Sequence, residues 1–86
     1  MKICFHKNFE KQYKKLTKKE QNKVQEKLSL FLKDAFNPIL KNHSLKGKYL
    51  DYRSINITGD LRAIYKYLDP DECIFVILGN HNNLYK

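Results

Sequence analysis

The apolar residues change period midway along the chain, and that change limits the fold more than any other feature. Up to Ala35 they recur at helical spacing, first Phe9, Tyr13 and Leu16, then Val24, Leu28, Phe31 and Ala35. From Tyr49 onward β-branched and aromatic residues take over, and Ile55 and Ile57 alternate with polar neighbours. A chain of 86 residues is too short for two hydrophobic cores. Helices and strands must therefore share one core, in a single domain spanning 1–86.

Local signals punctuate this pattern. Ile3, Cys4 and Phe5 form a short apolar stretch, and the polar His6, Lys7 and Asn8 that follow suit a brief strand leading to a helix cap. Thr17-Lys-Lys-Glu20 is a capping box, in which each side chain satisfies a backbone N–H at the other's position, so a second helix is predicted from near Lys18. On it Lys18, Lys19, Lys23, Lys27 and Lys33 are free to point away from the apolar face, giving a helical hairpin with a wet, basic outer side. Asn37 and Pro38 stop this helix, because proline restricts the residue before it and lacks an N–H. Thr58 and Gly59 make a turn, residues 61–67 return as a strand, and Asp69-Pro70-Asp71-Glu72 turns the chain again. Residues 73–78 are apolar on both faces, which suits a strand that is central or covered on both sides, and Gly79 ends it. The predicted fold is α+β in the order β-α-α-β-β-β, an antiparallel sheet with the N-terminal helical hairpin packed on one face.

Seventeen lysines and arginines against nine acids leave a net charge of +8, a field that attracts polyanions. Residues 1–48 hold 13 of the lysines and only 4 acids, which assigns the basic side to the first half. An apolar content of 42% excludes a disordered chain. Cys4 and Cys73 have no CxxC spacing and are read as buried free thiols rather than a metal knuckle or a disulfide framework. The first residues lack the apolar stretch of a signal peptide, and the longest apolar run is too short to span a bilayer, so a soluble cytoplasmic protein with no membrane partner is expected. No phosphate-binding glycine loop is present, and three histidines without carboxylates at ligand spacing imply neither a metal nor a cofactor.

What remains is a set of polar residues at strand ends. His43 precedes the sheet, Asp60 and Arg62 open the strand after the Gly59 turn, and His81 and Tyr85 follow the last strand. Tight turns between antiparallel strands permit such residues to converge on one sheet edge. Together they contain a base for a ribose 2′-OH, an acid for a 5′-oxygen leaving group and a cation for phosphate charge, enough to cleave RNA without metal. Each also has a purely structural reading: Asp60 as a turn residue, Arg62 as a surface partner of Asp51 or Asp71, Tyr85 as an aromatic plug, His6 as a strand end. Lys46 and Lys48 flank Gly47, where they can contact phosphates while the adjacent Tyr49 stacks on a base, or simply form a solvated turn.

The second half of the chain resembles the RelE superfamily of toxins, most closely its YafQ-like branch. The segment NHSLKGKYLDYRS matches a family pattern of histidine, Leu-x-Gly-x-aromatic and aromatic-Arg, here His43, Leu45, Gly47, Tyr49, Tyr52 and Arg53. GDLRAIYKY resembles the strand bearing the branch's aspartate, and GNHNNLY its closing Gly-x-His-x-x-Leu-aromatic signature. The family also runs strand, two helices, three strands. The resemblance implies a ribosome-dependent endoribonuclease that cuts messenger RNA by attack of the 2′-OH on the adjacent phosphate. It implies acid, base and charge-stabilising roles for His43, Asp60 and His81, with Tyr85 positioning substrate. Its implied partners are a cognate antitoxin, forming a toxin–antitoxin hetero-oligomer, and message on the ribosome with contacts to ribosomal RNA. Lys46, Lys48, Arg53 and Asn56 are taken as RNA contacts. Asn56 departs from the branch, which commonly has histidine there; an amide is no general base at neutral pH, which leaves His43 or His81 as the base. Arg62 resembles the phosphate-binding arginine of RelE itself. The competing reading is a non-enzymatic binder on the same fold, ParE-like or antitoxin-engaging; a generic basic RNA-binding domain lacks the closely spaced strand aromatics such modules use.

Overall fold

The computed structural model describes residues 1–80. Strand β1 (Lys2–Phe5) leads into helix α1 (Lys7–Lys14) and helix α2 (Lys18–Lys33), followed by β2 (His43–Ser44), β3 (Arg53–Asn56), β4 (Leu61–Asp69) and β5 (Glu72–Asn80). His6 caps α1, its Nδ1 accepting from the Asn8 N–H at 3.0 Å. The capping box forms as expected: Thr17 Oγ1 accepts from Glu20 N at 3.2 Å while Glu20 Oε1 accepts from Thr17 N at 3.0 Å.

The five strands lie in the order β1-β5-β4-β3-β2. Three pairings are antiparallel, as expected, but β1 runs parallel to β5, so the sheet is mixed. The helical hairpin causes this, because it carries the chain back across one face before the sheet resumes, a crossover that leaves β1 and β5 pointing the same way. Strand β5 outruns β1 by several residues, and α1 crosses its open edge, where Gln12 Oε1 accepts from the Leu78 N–H at 2.7 Å.

One core fills the space between helices and sheet. Phe9, Val24 and Phe31 meet Ile55, Ala63, Tyr65, Phe75 and Leu78, all essentially buried. Aromatic rings dominate it: Phe31 stands edge-on to Tyr65 at 4.9 Å and to Phe75 at 5.4 Å, and Tyr65 stacks on Phe75 at 5.0 Å. Beside it, α1, α2 and Phe5 border an apolar cavity of about 360 Å³. Of the α2 lysines expected to face outward, Lys18, Lys19 and Lys33 are exposed and Lys23 half-exposed beside Glu26, whereas Lys27 is largely covered, its Nζ 3.7 Å from Glu26 Oε1.

Helix α2 ends earlier than Asn37 and Pro38 suggest. Asp34 caps it, and Pro38 instead begins a one-turn 3-10 helix (Pro38–Leu40) whose first N–H is capped by Asn37 Oδ1 at 3.0 Å. Ala35 thus lies beyond the helix, though still against the core. Cys73 is buried as expected, whereas Cys4 is only half-buried, because it lies on the sheet face that carries no helix. Its thiol contacts Glu72 Oε2 at 3.3 Å, and that hydrogen bond holds its pKa above the ordinary value.

Burial pushes the Cys73 thiol up from 9.0 to about 11 and the Tyr65 hydroxyl up from 10.0 to about 12. Both groups bind their protons more tightly folded than unfolded. The stability they contribute is complete below the unfolded values and is lost as pH rises through the folded ones. Thermal melts should therefore show the midpoint declining from about pH 9, the ordinary value of the two raised thiols, and in a Cys4→Ala, Cys73→Val double variant from about pH 10, the tyrosine's unfolded value. An unchanged onset in that variant would contradict the assignment.

Candidate active site

A β-bulge prepares the helix-free face. Ile77 pairs with Ile64 and Phe75 with Tyr65, leaving Val76 as an extra residue in β5. Val76 and Ile77 both turn away from the helices and, with Ile64 and Leu45, form a second small core. The chain between β2 and β3 folds over it. Gly47 adopts φ +67° at the start of a 3-10 turn (Gly47–Tyr49), a conformation that glycine reaches without steric cost. That turn lays Tyr49 and Tyr52 against the sheet, their rings 6.1 Å apart and edge-on.

Directly paired strand residues share a face. His43 pairs with Ser54, Ser54 with Ile64 and Ile64 with Ile77, so His43 belongs to the helix-free face. In the next row Asn56 pairs with Arg62 and Arg62 with Gly79, again on that face. His43 and Arg62 are two strands and two residues apart, about 10 Å across the sheet and about 7 Å along it. Neighbouring nucleotides can bridge such a gap.

The orientation of His43 has a definite cause. Its ring is exposed, and Nδ1 lies 2.8 Å from the Lys41 carbonyl oxygen. A carbonyl only accepts, so the neutral ring carries its proton on Nδ1 and keeps the Nε2 lone pair available for a proton. Lys41 itself is left-handed, φ 48°. The peptide between them is fixed by Asn42, whose Nδ2 donates to the Ala35 carbonyl at 2.9 Å and the Tyr65 hydroxyl at 2.7 Å. Arg53 Nε donates to Asn42 Oδ1 at 2.8 Å.

Arg62 lies at the β3–β4 turn. Its Nη1 donates to the carbonyls of Thr58 and Gly59, each at 2.9 Å, rather than pairing with Asp51 or Asp71. The guanidinium has five N–H donors, and the contacts to the turn carbonyls use those on Nη1. Asp60 is exposed in the same turn. Lys46 and Lys48 are exposed on the loop that borders this face, Lys48 Nζ lying 5.2 Å from the centre of the Tyr49 ring.

The structure thus brings His43, Asn56 and Arg62 to one face, with Asp60 at its end and the two lysines at its border. It separates Arg53 from them. Arg53 pairs with Tyr65, a residue of the main core, and its guanidinium lies 5.2 Å from the Phe36 ring centre, so it faces the helix side and supports Asn42. His81 and Tyr85 lie outside the described residues. Sequence reasoning passed over the support that Asn42 gives to His43, because nothing in the sequence marks its contacts with Ala35, Tyr65 and Arg53. Among the described residues no group of three His, Cys, Asp or Glu side chains could hold a metal ion, and no helix is long and apolar enough to cross a membrane.

A helical hairpin on one face of a five-stranded mixed sheet, with polar groups beside a small second core on the other, is the RelE-like α+β architecture. The chain belongs to the YafQ family, described as bacterial toxins of type II toxin–antitoxin systems, which it matches over residues 1–86. No curated protein matches it. Among solved structures it superposes on YafQ from Escherichia coli with a TM-score of 0.81 at 24% identity, covering 98% of this chain and 97% of that one. YafQ in the E. coli DinJ–YafQ toxin–antitoxin complex gives 0.78 at 25% identity, covering 98% and 96%. A copper-bound toxin variant from Helicobacter pylori gives 0.69 at 29% identity, covering 99% of each chain.

Proposed function

We propose that this toxin is an endoribonuclease that cleaves messenger RNA on the ribosome without a metal. The observation that carries this reading is His43, held by Lys41 in the tautomer of a base and displayed on the face that also carries Arg62. In the proposed reaction His43 Nε2 takes the proton of a 2′-OH, and that oxygen attacks the adjacent phosphorus. The bond to the 5′-oxygen breaks, and an acid protonates the departing oxygen, leaving a 2′,3′-cyclic phosphate and a 5′-hydroxyl. Arg62 stabilises the charge that accumulates on the phosphoryl oxygens. On motif grounds His81 is the proposed acid and Tyr85 a substrate-positioning residue, with Asp60 a charge-stabilising group. Lys46, Lys48 and Asn56 are proposed RNA contacts. As DinJ is for E. coli YafQ, a cognate antitoxin is the proposed partner of this chain.

Purified protein added to ribosomes carrying a defined message should yield fragments ending in 2′,3′-cyclic phosphate, and Arg62→Gln should slow cleavage more than it weakens ribosome binding. Intact message, with inhibition of gyrase instead, would establish the non-enzymatic reading.

A further inference from the structure

The helix-free face holds a second feature, away from Arg62 and toward the β1 edge. A cavity of about 260 Å³ is lined by His6, Asn8, Lys48, Tyr49, Tyr52 and Ile77. We propose that it is a subsite for one nucleotide of a single-stranded RNA, with the base against the two tyrosines and the phosphate held by Lys48 and His6. The proposal rests on the reading of this protein as an RNA-cleaving toxin and extends it to residues outside the cleavage chemistry.

The lining chemistry selects the ligand. Tyr49 and Tyr52 meet edge-on, which gives the cavity aromatic walls, and aromatic faces accept any base. The ionisable groups around it are donors. Lys48 Nζ lies 5.2 Å from the Tyr49 ring centre and Lys66 Nζ 5.3 Å from that of Tyr52, so two ammonium groups flank the rings. His6 is held in the opposite sense to His43: its Nδ1 accepts from Asn8 N–H, so in the neutral ring Nε2 carries the proton and donates. Among the described residues that line the cavity, none is a carboxylate. Flat aromatic walls combined with donors fit a ligand that has a planar ring and anionic oxygens.

The test is a titration of the whole protein with adenosine 5′-monophosphate, followed by amide NMR. Saturable shifts should centre on His6, Lys48, Tyr52 and Ile77, and inorganic phosphate alone should not reproduce them. Tyr49→Leu should weaken binding about tenfold, the scale of one lost base–aromatic stack. Because Tyr49 also packs on the second core, two exposed positions keep the test clean: Lys48→Glu, and His6→Asn, which retains a helix-capping oxygen while removing the imidazole. Both should bind the nucleotide less tightly and cleave ribosome-bound message more slowly. Shifts spread over the α2 lysines, or binding and cleavage unchanged in Lys48→Glu and His6→Asn, would overturn the subsite while leaving cleavage by the wild type intact. Local nucleotide binding by a wild-type protein that leaves message uncut would uphold the subsite and overturn the ribonuclease reading instead.

Discussion

Replacing His43 with alanine should lower message cleavage by about 10²–10⁴-fold, the range expected when a general base is removed, while leaving the fold intact. The ring is exposed and is held by its contact with the Lys41 carbonyl, so little packing is lost. Changes at such surface positions usually stay within about 0.5 kcal/mol. Cleavage rates on programmed ribosomes, compared at matched thermal midpoints, provide the check. A folded His43→Ala protein that cleaves at the wild-type rate would remove His43 from the mechanism.

Asn42→Ala should have the largest effect on stability of any polar substitution outside the site. It removes the acceptor for Arg53 and the donors to Ala35 and Tyr65, and leaves the hydroxyl of a fully buried tyrosine without that partner. Leaving buried polar groups unsatisfied costs about 1–3 kcal/mol each, so a loss of roughly 3 kcal/mol is expected. In a domain of this size that lowers the thermal midpoint by roughly 12–24 °C. Cleavage measured well below the new midpoint should fall as well, because the peptide linking Lys41 to His43 loses its anchor. A midpoint within a few degrees of wild type would show that the network contributes little.

Much of the architecture was legible because its signals are local. The Thr17 to Glu20 capping box, the His6 cap, the turns around Gly59 and Pro70 and the alternation at Ile55 and Ile57 involve residues a few positions apart, and all appear as read. The early end of α2 escaped because Asn37 and Pro38 serve equally well to start a 3-10 turn, and only the packing of Ala35 and Leu40 selects between the two. Strand β2 escaped for a related reason: two residues carry no period, and pairing with β3 alone makes them a strand.

The candidate site divides in the same way. Residue types and the order of motifs nominated His43, Asp60 and Arg62, of which the sheet register places His43 and Arg62 on one face, and the matching family is one of toxins. Arg53 shows the limit. One residue of register separates the two faces of a strand, and Arg53 falls on the helix side, where it donates to Asn42, not on the face that carries His43 and Arg62. His6 shows the converse, a helix cap that parallel pairing of β1 with β5 carries to the border of the helix-free face.

The sequence by itself therefore determined the helical hairpin, the strand hairpins and the chemical inventory, since propensity, capping and periodicity act over a few residues. Tertiary structure alone decided the parallel β1–β5 pairing, the face on which each side chain stands and the tautomer His43 presents. Those depend on register between distant strands, on the bulge at Val76 and on hydrogen bonds such as Arg53 to Asn42 and Asn42 to Tyr65, which form only when the sheet has closed.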